Sequence, residues 1–284
     1  MVFKKIKTYA NLVMFSHTLF SLPFAMISML WAAEGIPPLN TVFWILVALV
    51  GARNGANALN RLIDWKIDAK NPRTSNRHIP QGTVKRKEAL LLIIICFAIM
   101  FIAAVMLNPL CVKLFPLAVL IFIFYSYTKR FTWLCHLILG VACGGAPVGA
   151  WIAVKEEIGI PSLILGAASL LWVAGFDIIY GILDIEFDRS EGLYSIPAVF
   201  GAKNALFISS IFHLLAMLAL IFLYFFMNMG VLYVVGIIIC FIILIIEHII
   251  VTPVKLERIK TASYTLNQLM GCIFFIFTAA DIFI

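Results

Sequence analysis

Residues 88–128 read EALLLIIICFAIMFIAAVML, then Asn108, then PLCVKLFPLAVLIFIFYSYT. Only Glu88 and Lys113 carry charge in this stretch. A helix crossing the hydrocarbon layer needs about 20 predominantly apolar residues. Backbone in lipid must also satisfy its own hydrogen bonds, which restricts a chain of this kind to helices or a closed barrel. The stretch therefore reads as two spanning helices, 88–107 and 109–128, joined by a short turn at Asn108–Pro109. Unbroken apolar runs of this length do not show the alternation of a barrel strand. The fold class follows: an all-α, polytopic membrane protein.

Working outward, the same criterion gives nine spans, at 13–33, 41–60, 88–107, 109–128, 131–154, 161–183, 202–228, 230–251 and 264–284. Composition agrees: 63% of the 284 residues are hydrophobic, 12% are charged and the mean hydropathy is +1.07. A soluble domain carries roughly 25% charged residues. Lys4, Lys5 and Lys7 precede an apolar stretch that lacks a short h-region with a small-residue cleavage site, so the first segment reads as a retained helix. The six cysteines form no CxxC pair and lie almost entirely in apolar runs, where they read as small core residues, without a disulfide framework or zinc site. No soluble domain interrupts the series, and residues 1–284 read as one intramembrane domain.

Basic residues fix the expected orientation. Excess Lys and Arg marks cytoplasmic loops. With nine spans, 18 of the 21 basic residues fall on the N-terminal side, and Arg53 lies near the inner end of the second span. Only Lys113 and Lys155 fall opposite. The N-terminus is therefore expected in the cytoplasm, with the protein multi-pass in a cell inner or plasma membrane. The net charge of +7 is accounted for by these loops and calls for no nucleic acid.

The polar chemistry concentrates in two cytoplasmic segments. The first contains Asn60, Asp64 and Asp68, four apart and so on one helical face. The second contains Asp184 and Asp188 at the same spacing, with Asp177 two turns earlier on nearly the same face, Tyr180 between, and Ser195 beyond Gly192. Carboxylates at i and i+4 repel each other, and more so near a low-dielectric core. A divalent cation removes that penalty, and hard oxygen donors suit Mg²⁺. Mg²⁺ takes few protein carboxylates and fills its other positions with water and phosphate oxygens, which points to a diphosphate. Arg73, Arg77 and Lys129 lie nearby and suit phosphate contacts. Asn267 in the last span and His17 in the first read either as helix–helix contacts or as acceptor contacts. Glu247 and His248 read as solvated at the interface.

At these residues the sequence resembles the UbiA superfamily of intramembrane aromatic prenyltransferases. The family's NDxxDxxxD is met by Asn60-Arg61-Leu62-Ile63-Asp64-Trp65-Lys66-Ile67-Asp68. Its DxxxD is met by Asp184 to Asp188, within the longer DxxYxxxDxxxDxxxGxxS that starts at Asp177. Arg73-Thr74 through Arg77 to Gly82 matches the RTxxRxxxxG tail, and Tyr125 with Lys129 matches YxxxK. Arg61 departs from the pattern by replacing an acidic residue. The opening Phe15–Ala25 looks like the prokaryotic 4-hydroxybenzoate polyprenyltransferase-like branch, which includes enzymes of futalosine-route menaquinone synthesis.

The resemblance implies a fold of nine helices and a Mg²⁺-dependent transfer from polyprenyl diphosphate to an aromatic acid, 4-hydroxybenzoate or a dihydroxynaphthoate. It implies that Asn60, Asp64, Asp68, Asp184 and Asp188 hold Mg²⁺, and that Arg73, Arg77 and Lys129 contact phosphate. Tyr125, Tyr180 and Ser195 would line the substrate site, and Asp177 or Tyr180 would orient the acceptor or take its proton. Segments 69–87 and 185–201 are long enough to serve as lids. A divalent-cation transporter is the rival reading, though it would place its acids nearer the bilayer midplane in inverted repeats. A CDP-alcohol phosphotransferase would carry one continuous Asp-rich motif. UbiA-type enzymes with other acceptors also remain open.

Overall fold

A computed structural model describes residues 9, 11–13, 18–251 and 258–284. His17, Lys4, Lys5, Lys7 and Lys255, with the start of the first expected span, lie outside the described residues. The described elements are α1 (Thr18–Ala33), α2 (Leu39–Ile63), α3 (Trp65–Lys70), α4 (Arg86–Leu107), α5 (Pro109–Thr128), α6 (Cys135–Lys155) and α7 (Ile160–Gly181). A 3₁₀ turn (Ile182–Asp184) leads to α8 (Ile185–Ser190), α9 (Ile196–Phe226) and α10 (Val231–Ile250). A π-helical turn (Thr261–Leu266) then enters α11 (Asn267–Phe283). No strand occurs among the described residues.

Eight helical segments among the described residues are long and apolar enough to cross a membrane, and Phe20–Ala33 forms a shorter apolar helix. Leu91, Ile94, Ile95 and Ile102 on α4 are exposed, as are Leu214, Leu218, Phe222 and Phe225 on α9. Such faces suit lipid tails, which are as apolar as Leu.

The chain forms two compact units. The first comprises Leu39–Tyr127 with the described residues up to Thr18. Here α2 lies against α4, and a Cβ at Gly51 would meet the Cys96 carbonyl at 2.7 Å. The second comprises Leu19–Pro38 and Thr128–Ile284. Its core is aromatic: Trp172 stacks on Phe24 at 5.0 Å and meets Phe176 edge-on at 5.4 Å. Helices α6 and α7 approach through Gly144 and Gly166, where a Cβ on Gly166 would lie 2.8 Å from the Gly144 carbonyl. Small residues at a helix crossing maximise van der Waals contact where lipid supplies no hydrophobic drive.

Within segment 185–201, α8 and the start of α9 occupy most of the chain. A capped turn from Ile196, in which the Ser195 hydroxyl accepts the Ala198 N–H at 3.2 Å and Pro197 sits in the first turn, precedes the span expected from 202. The helix is then interrupted at Gly201. Segment 69–87 is closed on itself by backbone bonds such as Ser75 N–H to Asn71 at 2.8 Å and Val84 N–H to His78 at 3.1 Å. Ile79 and Val84 bury against Leu12 and Ala89.

Overpacking the closest helix crossing should be costly. Gly166→Val is expected to lower unfolding stability in detergent by about 1–3 kcal/mol, whereas Gly149→Val, with open space around its Cβ position, should change it far less.

Candidate functional site

Each Asp-rich motif is built on a broken helix. In the first unit, α2 carries Asn60 and ends at Ile63, and Asp64 sits at φ −89°, ψ 6° before α3 begins. That is the sparsely populated bridge between the helical and extended regions. The four-residue ladder nevertheless continues across the break: Asp64 N–H reaches the Asn60 carbonyl at 2.9 Å, and Asp68 N–H reaches the Asp64 carbonyl at 2.8 Å. The expected shared face is kept, while the chain direction shifts at the carboxylate. The Asn60 amide donates to Asp64 Oδ2 at 2.9 Å.

Asp68 is buried. Arg77 Nη1 donates to its Oδ1 at 2.5 Å, and Thr74 Oγ1 donates to its carbonyl at 3.1 Å. Oδ2 is buried without a hydrogen-bond partner, an unmet demand for a cation or donor. The Asn71 side chain accepts the Arg73 N–H at 2.9 Å, fixing the turn that returns Arg77 toward Asp68. Arg86 and Lys66 instead lie over the Trp65 ring, at 4.7 and 5.7 Å.

The second unit repeats the design. After α7 and its 3₁₀ turn, Asp184 takes φ −109°, ψ 4° and opens the six-residue α8. Asp184 and Asp188 are both buried. Asp188 Oδ2 accepts the Ser195 hydroxyl at 2.9 Å and faces Lys129 Nζ at 3.5 Å. Gly192 turns the chain back at φ +66°, a conformation in which a Cβ is strained. Leu193 N–H then closes onto the Asp188 carbonyl at 2.7 Å, and Tyr194 N–H onto the Lys129 carbonyl at 2.7 Å. Burial works against the Lys129 ammonium, but Asp188, with Cys135, Asp184 and Asp177, outweighs it and holds Lys129 above the ordinary lysine range.

The structure therefore joins Asn60 with Asp64, Asp68 with Arg77, and Asp188 with Lys129 and Ser195. Ser195 is fully buried and divides its hydroxyl between Asp188 and the α9 cap. Tyr180 packs edge-on against Tyr264, with centroids 4.8 Å apart. Tyr125 is half-buried near the end of α5.

His136 was missed in the sequence. Its Nδ1 lies 2.7 Å from Asp177 Oδ2. An ionisable residue inside an apolar span was the available signal.

The solvated reading of Glu247 is overturned. Its side chain is wholly buried, and Oε1 accepts the Asn267 amide at 2.9 Å. The same amide group's oxygen accepts Trp172 Nε1 at 2.6 Å. Helix packing encloses the inner end of α10, so Asn267 reads as a core contact rather than an acceptor ligand.

A profile of the UbiA prenyltransferase family matches residues 21–277. The chain belongs to this family. Among relatives of this UbiA-family chain, the 4-hydroxybenzoate octaprenyltransferase of Citrobacter koseri is 32% identical over 198 residues, covering 68% of this chain and 67% of the relative. That of Vibrio atlanticus is 30% identical over 186 residues, and the match spans 65% of the relative's length. Among solved structures, a UbiA homologue from Aeropyrum pernix K1 superposes with a TM-score of 0.85 at 34% identity, covering 93% of this chain and 98% of its own. A homologue from Archaeoglobus fulgidus bound to GPP and Mg²⁺ shares the fold, at TM-score 0.72 and 18% identity, covering 98% of this chain and all of its own.

Fixed oxygen donors, two of the carboxylates held beside cations, fit Mg²⁺. Among the described residues no three His, Cys, Asp or Glu side chains form a ready-made metal cage.

Removing Arg77 should leave the Asp68 carboxylate buried and unpaired. Arg77→Ala is expected to destabilise the protein by a few kcal/mol, and Asp68→Asn in that background should recover part of the loss. A double-mutant cycle in detergent is expected to return a coupling energy of about 1–3 kcal/mol.

Proposed function

We propose that this protein transfers a polyprenyl group from polyprenyl diphosphate to an aromatic acid, 4-hydroxybenzoate or a dihydroxynaphthoate, in quinone biosynthesis, with the reaction at the cytoplasmic membrane face. The observation that carries the reading is the repeated motif: a carboxylate at a helix break, followed one turn later by a buried carboxylate beside a fixed cation. The names of the bacterial relatives support the acceptor class, and the GPP and Mg²⁺ bound by the Archaeoglobus homologue support the donor and the metal.

Asn60, Asp64, Asp68, Asp184 and Asp188 would hold Mg²⁺. When bound, the ion neutralises charge developing on the departing diphosphate. Lys129, Arg73 and Arg77 contact phosphate oxygens and supply preorganised positive charge to the same end. Asp68 and Asp188 keep Arg77 and Lys129 in place. Tyr125 and Tyr180 line the substrate site, and Ser195 holds Asp188. The allylic C–O bond breaks with its electron pair going to diphosphate. The electron-rich ring attacks the allyl carbon, and the ring proton is lost. The apolar spans exclude water, which would otherwise capture the allyl cation.

Membranes containing the protein, supplied with radiolabelled polyprenyl diphosphate, Mg²⁺ and either acceptor, should yield labelled lipid-extractable aromatic product. EDTA should abolish it and added Mg²⁺ restore it. Asp64→Ala and Asp184→Ala should each lower the rate by at least ~10²-fold. Failure with both acceptors at every chain length, with Mg²⁺ flux through the same membranes, would sink this reading in favour of a transporter.

A further inference from the structure

From Trp172 to Ile182 every residue of the helical segment is buried except Asp177 and Tyr180. The segment is otherwise enclosed by protein, and these two positions are its partly exposed ones. Asp177 stands seven residues before Asp184 and shares that side of the helix. Its side chain is 28% exposed, whereas that of His136, which it contacts, is 2% exposed. The carboxylate is therefore partly accessible, and the buried imidazole backs it.

The imidazole is tightly seated. A Cβ on Gly181 would stand 3.0 Å from His136 Cε1, so the bare glycine backbone makes room for the ring. His136 Nε2 is buried with no hydrogen-bond partner. The ring's polar contact is therefore the 2.7 Å approach of Nδ1 to Asp177 Oδ2.

The partners of the acidic groups also differ in kind. Asp68 meets a guanidinium and Asp188 an ammonium. Asp177 meets an imidazole, itself an acid–base group. That suits a group that must gain and release a proton in each cycle.

We propose that His136 is a positioning residue, holding one oxygen of Asp177 so that the other accepts the ring proton of the aromatic acceptor. This rests on the prenyltransferase reading above. After the ring carbon bonds to the allyl carbon, its C–H proton passes to the Asp177 carboxylate. The C–H electron pair returns to the ring and restores aromaticity. The diphosphate has already left with the C–O pair.

The test uses membranes containing the full chain, with ring-deuterated and ordinary 4-hydroxybenzoate and, in parallel, ring-deuterated and ordinary 1,4-dihydroxy-6-naphthoate. His136→Ala should lower kcat roughly tenfold to a hundredfold, as loss of an orienting partner does elsewhere, with KM for polyprenyl diphosphate unchanged. It should also raise the primary isotope effect on kcat, because proton loss becomes slow. His136→Asn, which keeps an amide N–H near the Nδ1 position, should recover most of the rate and the smaller isotope effect. If His136→Ala does not accumulate in membranes, His136→Gln, whose donor sits beyond the Nδ1 position, carries the same comparison against His136→Asn.

An isotope effect equal in all variants, or a rise in KM for the diphosphate matching the rate loss, overturns the role and leaves His136 as packing. Absence of product from the wild-type chain with both acceptors overturns the parent reading and this inference with it.

Discussion

The burial of like-charged carboxylates where a membrane helix meets its interface constrains the rest of this structure. Two acids one turn apart repel each other, and the low-dielectric surroundings deepen the penalty. The fold answers with the same three devices in each unit. The helix breaks at the first acid, Asp64 or Asp184, with nearly matching backbone angles. A cation, Arg77 or Lys129, stands at the second. A hydroxyl closes the turn, with Thr74 on the Asp68 carbonyl and Ser195 on the Asp188 carboxylate. These devices reduce the repulsion, and Asp68 Oδ2 still lacks a partner. The residual demand for positive charge is what a cation with a diphosphate would meet.

The helices and the motifs were legible in the sequence for different reasons. Spans such as 88–107 and 109–128 announce themselves because lipid tolerates little but apolar residues over that length. The motif acids stood out because ionisable groups are scarce in such a chain. Arg77 and Lys129 were legible as cations beside acids, although their particular partners depend on how the turns at Asn71 and Gly192 return the chain. The span from 202 was legible as an apolar run, whereas the capped turn before the Gly201 break depends on Ser195 and Pro197, which hydropathy does not register.

Residues whose meaning depends on tertiary enclosure were the hardest to read. Glu247 lies near the end of an apolar run, and by position alone it belongs at a wet interface. The structure encloses it completely, against Asn267, which in turn engages Trp172. His136 lies at the start of α6 and has no local partner at helical spacing. Its carboxylate is 41 residues away on α7, and only the close packing of those two helices brings them together.

The partner of each buried acid indicates what that acid can do. Asp68 lies beside a guanidinium and Asp188 beside an ammonium, each a full positive charge. An amide does not supply a full charge, so Glu247 beside Asn267 is the least compensated of these acids. His213 Nδ1, 3.9 Å from its second oxygen, is itself 2.9 Å from His248 Nε2. That group links α7, α9, α10 and α11 through side-chain and carbonyl contacts in a region otherwise filled by apolar packing. Directional bonds of this kind fix which helix faces meet, a specification that apolar contacts in lipid supply only weakly. An imidazole lies between the two extremes, since it can orient an acid and exchange a proton with its surroundings. The acids of this chain thus separate by their nearest neighbour into those beside a guanidinium or ammonium, one beside an amide and one beside an imidazole, and sequence spacing alone could not have sorted them.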